Sequence, residues 1–280
     1  MNTRMKLVLL ACSLLLFSTF LTTESIVFAE EGKEDKQEEK KDKKKEEDEF
    51  KLPKNVISLS KANTFPNTIE HGEVIEPSST TKELLDELKI DIENPDLIKL
   101  LNESTIKPSP IAIGYRANVF LGRWPLNYKS ENTSVNWDYQ KINENKLDNV
   151  GGDDVQEIRY VQQEQKEVKG ALTNKIESPS VIKKMILQKA KEKTDLPLSF
   201  TTVVGKNTKL NNYYNVPVKE IGYLHAYSPA VNEKGQVTFG EVYINLKGHT
   251  KSIEIKNVTK QGIGAWIPIQ DHVALSFQLK

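Results

Sequence analysis

Ser79 stands one helical turn before Lys82, and Ser130-Glu131-Asn132 follows further along the chain. A lysine so placed can take the proton of the serine hydroxyl, as in penicillin-recognising serine enzymes, where a strand-borne Lys-Thr-Gly completes the site. No Lys-Thr-Gly occurs here; Lys193-Thr194-Asp195 and Lys206-Asn207-Thr208 come nearest. The serine–lysine spacing also recurs at Ser58, Ser104 and Ser180, so one instance of it carries little weight.

Carboxylates are the next groups that could do chemistry. Asp148, Asp153 and Asp154 flank Val150-Gly151-Gly152, and Asp138 lies upstream. Two of these four across a cleft could serve glycosidic acid–base catalysis if they stood roughly 5–10 Å apart. The spacing does not fit a calcium-binding loop, and an Asx-rich turn accounts for it. The four histidines, His71, His225, His249 and His272, fall in separate elements. Gly262-Ile263-Gly264-Ala265-Trp266-Ile267 begins like a dinucleotide loop but lacks the third glycine and opens no helix. Phosphate-loop, nucleophile-elbow and zinc-helix signatures are missing, so no cofactor, metal or catalytic residue is expected.

The strongest candidate is an aromatic and amide-rich stretch. Arg123, Trp124, Tyr128, Trp137 and Tyr139 sit among Asn127, Asn132, Asn136, Gln140 and Asn143. Flat aromatic faces beside amides and a guanidinium suit stacking on sugar rings, and suit a protein partner equally well. Core packing competes with both readings: Trp137 alternates in register with Val135 and Tyr139, as buried strand residues do.

These residues need elements to position them. Residues 1–29 carry Arg4 and Lys6 ahead of an apolar run from Leu7 to Leu21, then Val27 and Ala29, the pattern of a secretory signal cleaved between Ala29 and Glu30. The alternative is an uncleaved N-terminal membrane anchor. Cys12, the single cysteine, lies inside the apolar run rather than after it, so lipidation is not expected and the mature chain is cysteine-free. Residues 30–54 read as a disordered charged spacer and 55–280 as one globular domain, with a formal charge of about +3 over residues 51–280. An exported domain of this size can bury an adequate core without disulfides.

Three helices are expected. One spans 78–90, with Thr80 and Glu83 at capping-box spacing. A second spans 94–102, with Asn94 as cap and Pro95 in the first turn. The third spans 178–194, with Ser178 as cap, Pro179 first, and Val181, Ile182, Met185, Ile186 and Ala190 as an apolar stripe. Lysines cover much of the rest of that helix and could face an anionic surface. Residues 154–168 read as one long, half-exposed strand. The C-terminal part, 220–280, reads as an antiparallel meander: strands 220–227, 236–246, 251–255 and 272–279, with turns at 232–235 and 247–250. The apolar register changes at Gly240, which predicts a β-bulge there. The fold class is α+β: strand-rich antiparallel sheet with a few packed helices.

The runs LGRWPLNY (121–128), VNWDYQKIN (135–143), DNVGG (148–152) and KGALT (169–173) resemble the YfkD-like family of exported proteins from spore-forming Gram-positive bacteria. The resemblance covers about 55–280. It implies export and a single domain, and it carries over no activity and no catalytic residue. The expected function is that of a secreted or envelope-associated, non-catalytic binding or accessory protein. Its expected partner is a wall polymer or another exported protein, with no nucleic acid and no membrane span after cleavage. An envelope glycan hydrolase using the carboxylates of 138–154 is the alternative.

Overall fold

A computed structural model of the chain describes residues 50–64, 67, 75–108, 111 and 114–280. The expected signal, most of the charged spacer and His71 lie outside the described residues. In chain order the elements are β1 (Val56–Ser58), α1 (Lys61–Thr64), α2 (Ser79–Asp86), α3 (Pro95–Glu103), β2 (Arg116–Asp148), β3 (Gln156–Val161), β4 (Lys166–Lys169), β5 (Ala171–Leu172), α4 (Pro179–Thr194), β6 (Thr201–Val204), β7 (Lys209–Val216), β8 (Ile221–Lys247), β9 (Thr250–Pro268) and β10 (His272–Leu279). All strand pairs are antiparallel, and the architecture is the expected α+β.

Two very long strands organise the molecule. β8 is 27 residues long and β2 is 33, and they pair from Arg116↔Lys247 to Asp148↔Ile221. The surplus residues of β2 are taken up at five register shifts. On its other side β8 first pairs with β10, up to Tyr227↔Ala274, and then with β9, from Ala230↔Pro268. Pro229 stands at the changeover. Proline has no N–H to give a ladder, so a gap between two partners is where it fits inside a central strand. β1 adds to β10 and β5 to β9, while β3–β7 and β4–β6 form two separate ribbons.

The long strand is buried on different faces along its length. Leu224 and Ala226 belong to one core, Val231, Val237 and Phe239 to a second, and Val242, Ile244 and Leu246 to a third. Parity runs even, odd, even. Successive side chains of a strand point to opposite faces, so β8 turns one face inward at its ends and the other in its middle. The middle core is covered by α4, whose Val181, Ile182, Met185, Ile186 and Ala190 are all buried, as their spacing predicts. α2 and α3 close the core at the Val242–Leu246 end through Leu84, Leu97 and Leu101. The ribbons close the other end through Ile158, Tyr160, Val204 and Val216. Each fully buried leucine or isoleucine contributes about 2 kcal/mol.

Several expectations need correction. The turn at 232–235 is not formed; Asn232 to Gly235 run straight through the middle of β8 and pair on both sides. The strand expected over 154–168 is two strands with different partners. They part at Gln162, which is buried and sends its amide to the Ile142 and Glu164 carbonyls at 3.1 and 2.8 Å. β9 runs on from the expected 251–255 to Pro268, so the GIGAWI glycines lie in a strand. The register of β8 does change at Gly240, but the extra residue is on β9, where Asn257 has φ +49°. α2 is capped by Ser78, whose hydroxyl accepts from Thr81 N–H, rather than by the Thr80–Glu83 pair. Asn94 caps α3 as expected. Ser178 precedes α4 in the left-handed region and makes no side-chain cap.

Candidate functional site

The GRWPLNY segment builds structure residue by residue. Gly122 sits at a register shift of β2 with φ +113°, a conformation open to glycine and strained for other residues. The bulge lets Trp124 fold back, so that its indole N–H donates to the Leu121 carbonyl at 3.0 Å. Arg123 crosses the sheet to donate to Thr259 Oγ1 at 2.6 Å, and its Nε lies 3.4 Å from Glu177. Pro125 and Leu126 accept at their carbonyls from Asn94 Nδ2 at 2.7 Å and from Glu93 N–H at 2.8 Å. Asn127 Nδ2 donates to the Asp91 carbonyl at 2.8 Å. The segment between α2 and α3 is thereby stitched along β2.

Tyr128 is 2 % exposed and its phenol donates to Glu233 Oε1 at 3.2 Å; Thr133 Oγ1 donates to Glu233 Oε2 at 2.6 Å. Burial first, and then the Glu233 charge, push the Tyr128 phenol far above its ordinary pKa of 10.0. It stays a neutral donor at every ordinary pH.

The five candidate ligand-binding residues do not share one face. Trp124 packs on the core closed by α2 and α3, Tyr128 and Trp137 on the core under α4, and Tyr139 on the core under the ribbons. Tyr139 also stacks on Trp266 with ring centres 5.0 Å apart. Trp124, Trp137 and Tyr139 keep partial exposure, while Arg123 is engaged by Thr259, Glu177 and the Asn257 carbonyl.

Asp138, Asp148, Asp153 and Asp154 are all exposed, and none lines either cleft described below. The DNVGG run is a structural loop. Asn149 is buried and donates through Nδ2 to the Asp154 and Val216 carbonyls, each at 2.9 Å. A Cβ on Gly152 would come within 1.9 Å of Asn149 Oδ1. Ser79 and Lys82 are exposed on α2, and Ser130 is on β2.

The structure does assemble a cleft, of about 520 Å³, from residues that nothing in the sequence groups together. Lys89 and Asp91 come from the α2–α3 segment, Asn127, Lys129 and Ser130 from β2, Lys189 from α4, Gln236 and Thr238 from β8, and Val258 and Lys260 from β9. A smaller cleft of about 170 Å³, lined by Ile75, Pro95, Ile98, Met185 and Gln188, lies beside it. Glu93 and Lys189 line both, paired at 3.0 Å. The Glu93 hydrogen bond holds the Lys189 ammonium above its ordinary pKa of 10.5. Four lysines face two carboxylates in the larger cleft, and Lys89, Lys129 and Lys260 make no ion pair among the described residues. The floor adds amides and hydroxyls. Such a lining attracts anions and can hydrogen-bond their oxygens. Sequence reading singled out the lysine face of α4 but could not pair it with lysines 60 to 100 positions away, roughly, because strand pairing and helix packing together bring them into one cleft.

A model of the YfkD-like protein family matches residues 53–280. The chain is also 54 % identical over 231 residues to a protein of Bacillus subtilis (strain 168) named as the uncharacterized protein YfkD, an alignment covering 82 % of this chain and 88 % of that one. GRWPLNY and DNVGG, two of the four runs that carry the resemblance, are the segments that stitch the α2–α3 connection to β2 and close the loop after it. The chain belongs to the YfkD-like family.

Proposed function

We propose that this chain is an exported, non-catalytic binding protein of the cell envelope, and that its ligand docks in the cleft between α4 and the β2–β8–β9 sheet. The observation that carries this reading is the cleft itself: about 520 Å³, open, and lined by long cationic and short amide or hydroxyl groups from five segments. A site of that lining holds a polar ligand by charge and hydrogen bonds. The signal-like residues 1–29 and the charged tract after them support work outside the membrane. A wall polymer suits the open cleft better than the aromatic stretch, whose rings are divided among three cores. The hydrolase reading gains no support, since its four aspartates face solvent away from the clefts.

The test is fractionation followed by co-sedimentation. A form beginning at Glu30 is expected in the envelope or culture fluid, and the purified chain is expected to sediment with insoluble wall material. A chain retained inside the cell with Met1 intact, or one that stays in the supernatant with wall material, sinks the proposal.

A further inference from the structure

Within the larger cleft one carboxylate already occupies an anion position. Glu93 accepts from two donors at once: the Lys189 ammonium lies 3.0 Å from Oε1, and the Tyr128 backbone N–H donates to Oε2 at 3.3 Å. An ammonium and a β2 amide thus converge on one pair of oxygens at the ridge between the two clefts. Lys189 is also the least exposed of the four cleft lysines, and Glu192 on the same helix stands 3.6 Å away. Lys89, Lys129 and Lys260 are exposed, come from three different segments, and line the same cleft with no ion pair among the described residues.

Resting on the cleft-binding reading, we propose that the ligand is a phosphate-bearing polymer, that Lys189 is its anchor, and that a phosphate takes the place of the Glu93 carboxylate between Lys189 and the Tyr128 N–H. The chemistry of the lining selects this class. The cations lining both clefts are lysines, with no arginine among the described lining residues. Lysines act as point charges approaching from several directions, which a tetrahedral phosphate accepts from all sides. Several separated cations suit repeated charges along a chain, with release of counterions and a steep dependence on salt. Asn127, Ser130 and Gln236 lie beside the cations, placed for ester oxygens or hydroxyls of the repeat. Glu93 then acts as an internal competitor: binding must displace it, and its charge opposes the incoming phosphate.

The experiment measures binding of the full chain to inorganic polyphosphate across a salt series, with polyglutamate and phosphate-stripped wall material as the other probes. Polyphosphate is expected to bind, more weakly as salt rises. Lys189→Gln is expected to weaken it about tenfold, while Glu93→Gln strengthens it severalfold. Lys184→Gln removes a charge from the same helix outside the clefts, where Lys184 pairs with Asp96 at 3.3 Å, and is expected to change affinity less than about twofold. Unchanged melting of all three variants shows that they fold. Equal losses in Lys189→Gln and Lys184→Gln, or tighter binding of polyglutamate than of polyphosphate, overturns the proposal. Binding to stripped wall material without binding to polyphosphate overturns it too, yet leaves the cleft-binding reading standing. Binding to none of the three removes both.

Discussion

Tyr128 and Glu233 meet across the central β2–β8 ladder, the phenol donating to the carboxylate at 3.2 Å with neither residue more than 2 % exposed. Glu233 has a second donor in Thr133, and the three groups sit on the face of β8 that α4 covers. A buried carboxylate survives there because both its oxygens are hydrogen-bonded. This trio fixes the register of the longest strand pair in the molecule, in the place where the sequence suggests a turn.

Tyr128→Phe keeps the ring and removes the donor. It is expected to cost about 1–3 kcal/mol, because it leaves a buried carboxylate oxygen without its partner. Thr133→Val is expected to cost a similar amount, and the double variant is expected to differ from the sum, since the two donors serve one group. Urea unfolding of the three variants decides it; strictly additive, near-zero effects would show that the trio contributes nothing.

Two glycines of neighbouring strands give a contrast. A Cβ on Gly235 would stand 2.2 Å from the Lys129 carbonyl and 2.7 Å from the Tyr128 hydroxyl, both inside the ladder. A Cβ on Gly262 meets nothing within 4 Å. Gly235→Ala is therefore expected to destabilise by roughly 3 kcal/mol, while Gly262→Ala stays within about 0.5 kcal/mol of the parent. Thermal melts of the pair read the difference directly.

Acid reveals a surface pair. The Glu144 carboxyl is held below its ordinary value of 4.5, chiefly by the Lys141 ammonium that bonds it, and His225 Nδ1 lies 3.0 Å away. Its pKa is lower folded than unfolded, so the unfolded chain binds the proton more readily. The stabilisation is complete above the ordinary glutamate value and is lost as pH falls through the lowered one. Lys141→Met is expected to move the Glu144 carboxyl back toward 4.5, which carboxyl NMR titration measures; an unmoved titration curve refutes the pairing.

Trp124→Ala separates packing from binding. The indole packs on the core beside Leu126 and caps the bulge at Leu121, so the variant is expected to lose about 2 kcal/mol of stability. Because Trp124 does not line either cleft, retention on wall material below the melting temperature is expected to match the parent. Lost retention in a folded variant would return the ligand to the aromatic stretch.

Local physics was legible in the sequence. The apolar stripe of Val181, Ile182, Met185, Ile186 and Ala190, the Asn94 cap with Pro95 behind it and the register change at Gly240 are each set by neighbours within a few residues, and each is present in the structure. The strand-rich α+β class followed from the same patterns, and the GRWPLNY and DNVGG runs marked the family. What the tertiary structure decided depends on partners far apart in the chain. Asn232-Glu233-Lys234-Gly235 has the composition of a turn, yet runs straight because Tyr128 and Thr133, about a hundred residues earlier, satisfy Glu233 and fill the space over Gly235. The aromatic residues of 124–139 look like one face but are divided among three cores, because five register shifts in β2 re-aim its side chains. The cleft exists only once α4, β2, β8 and β9 are in place, because its lysines are brought together by strand pairing and helix packing, and sequence spacing carries no record of either.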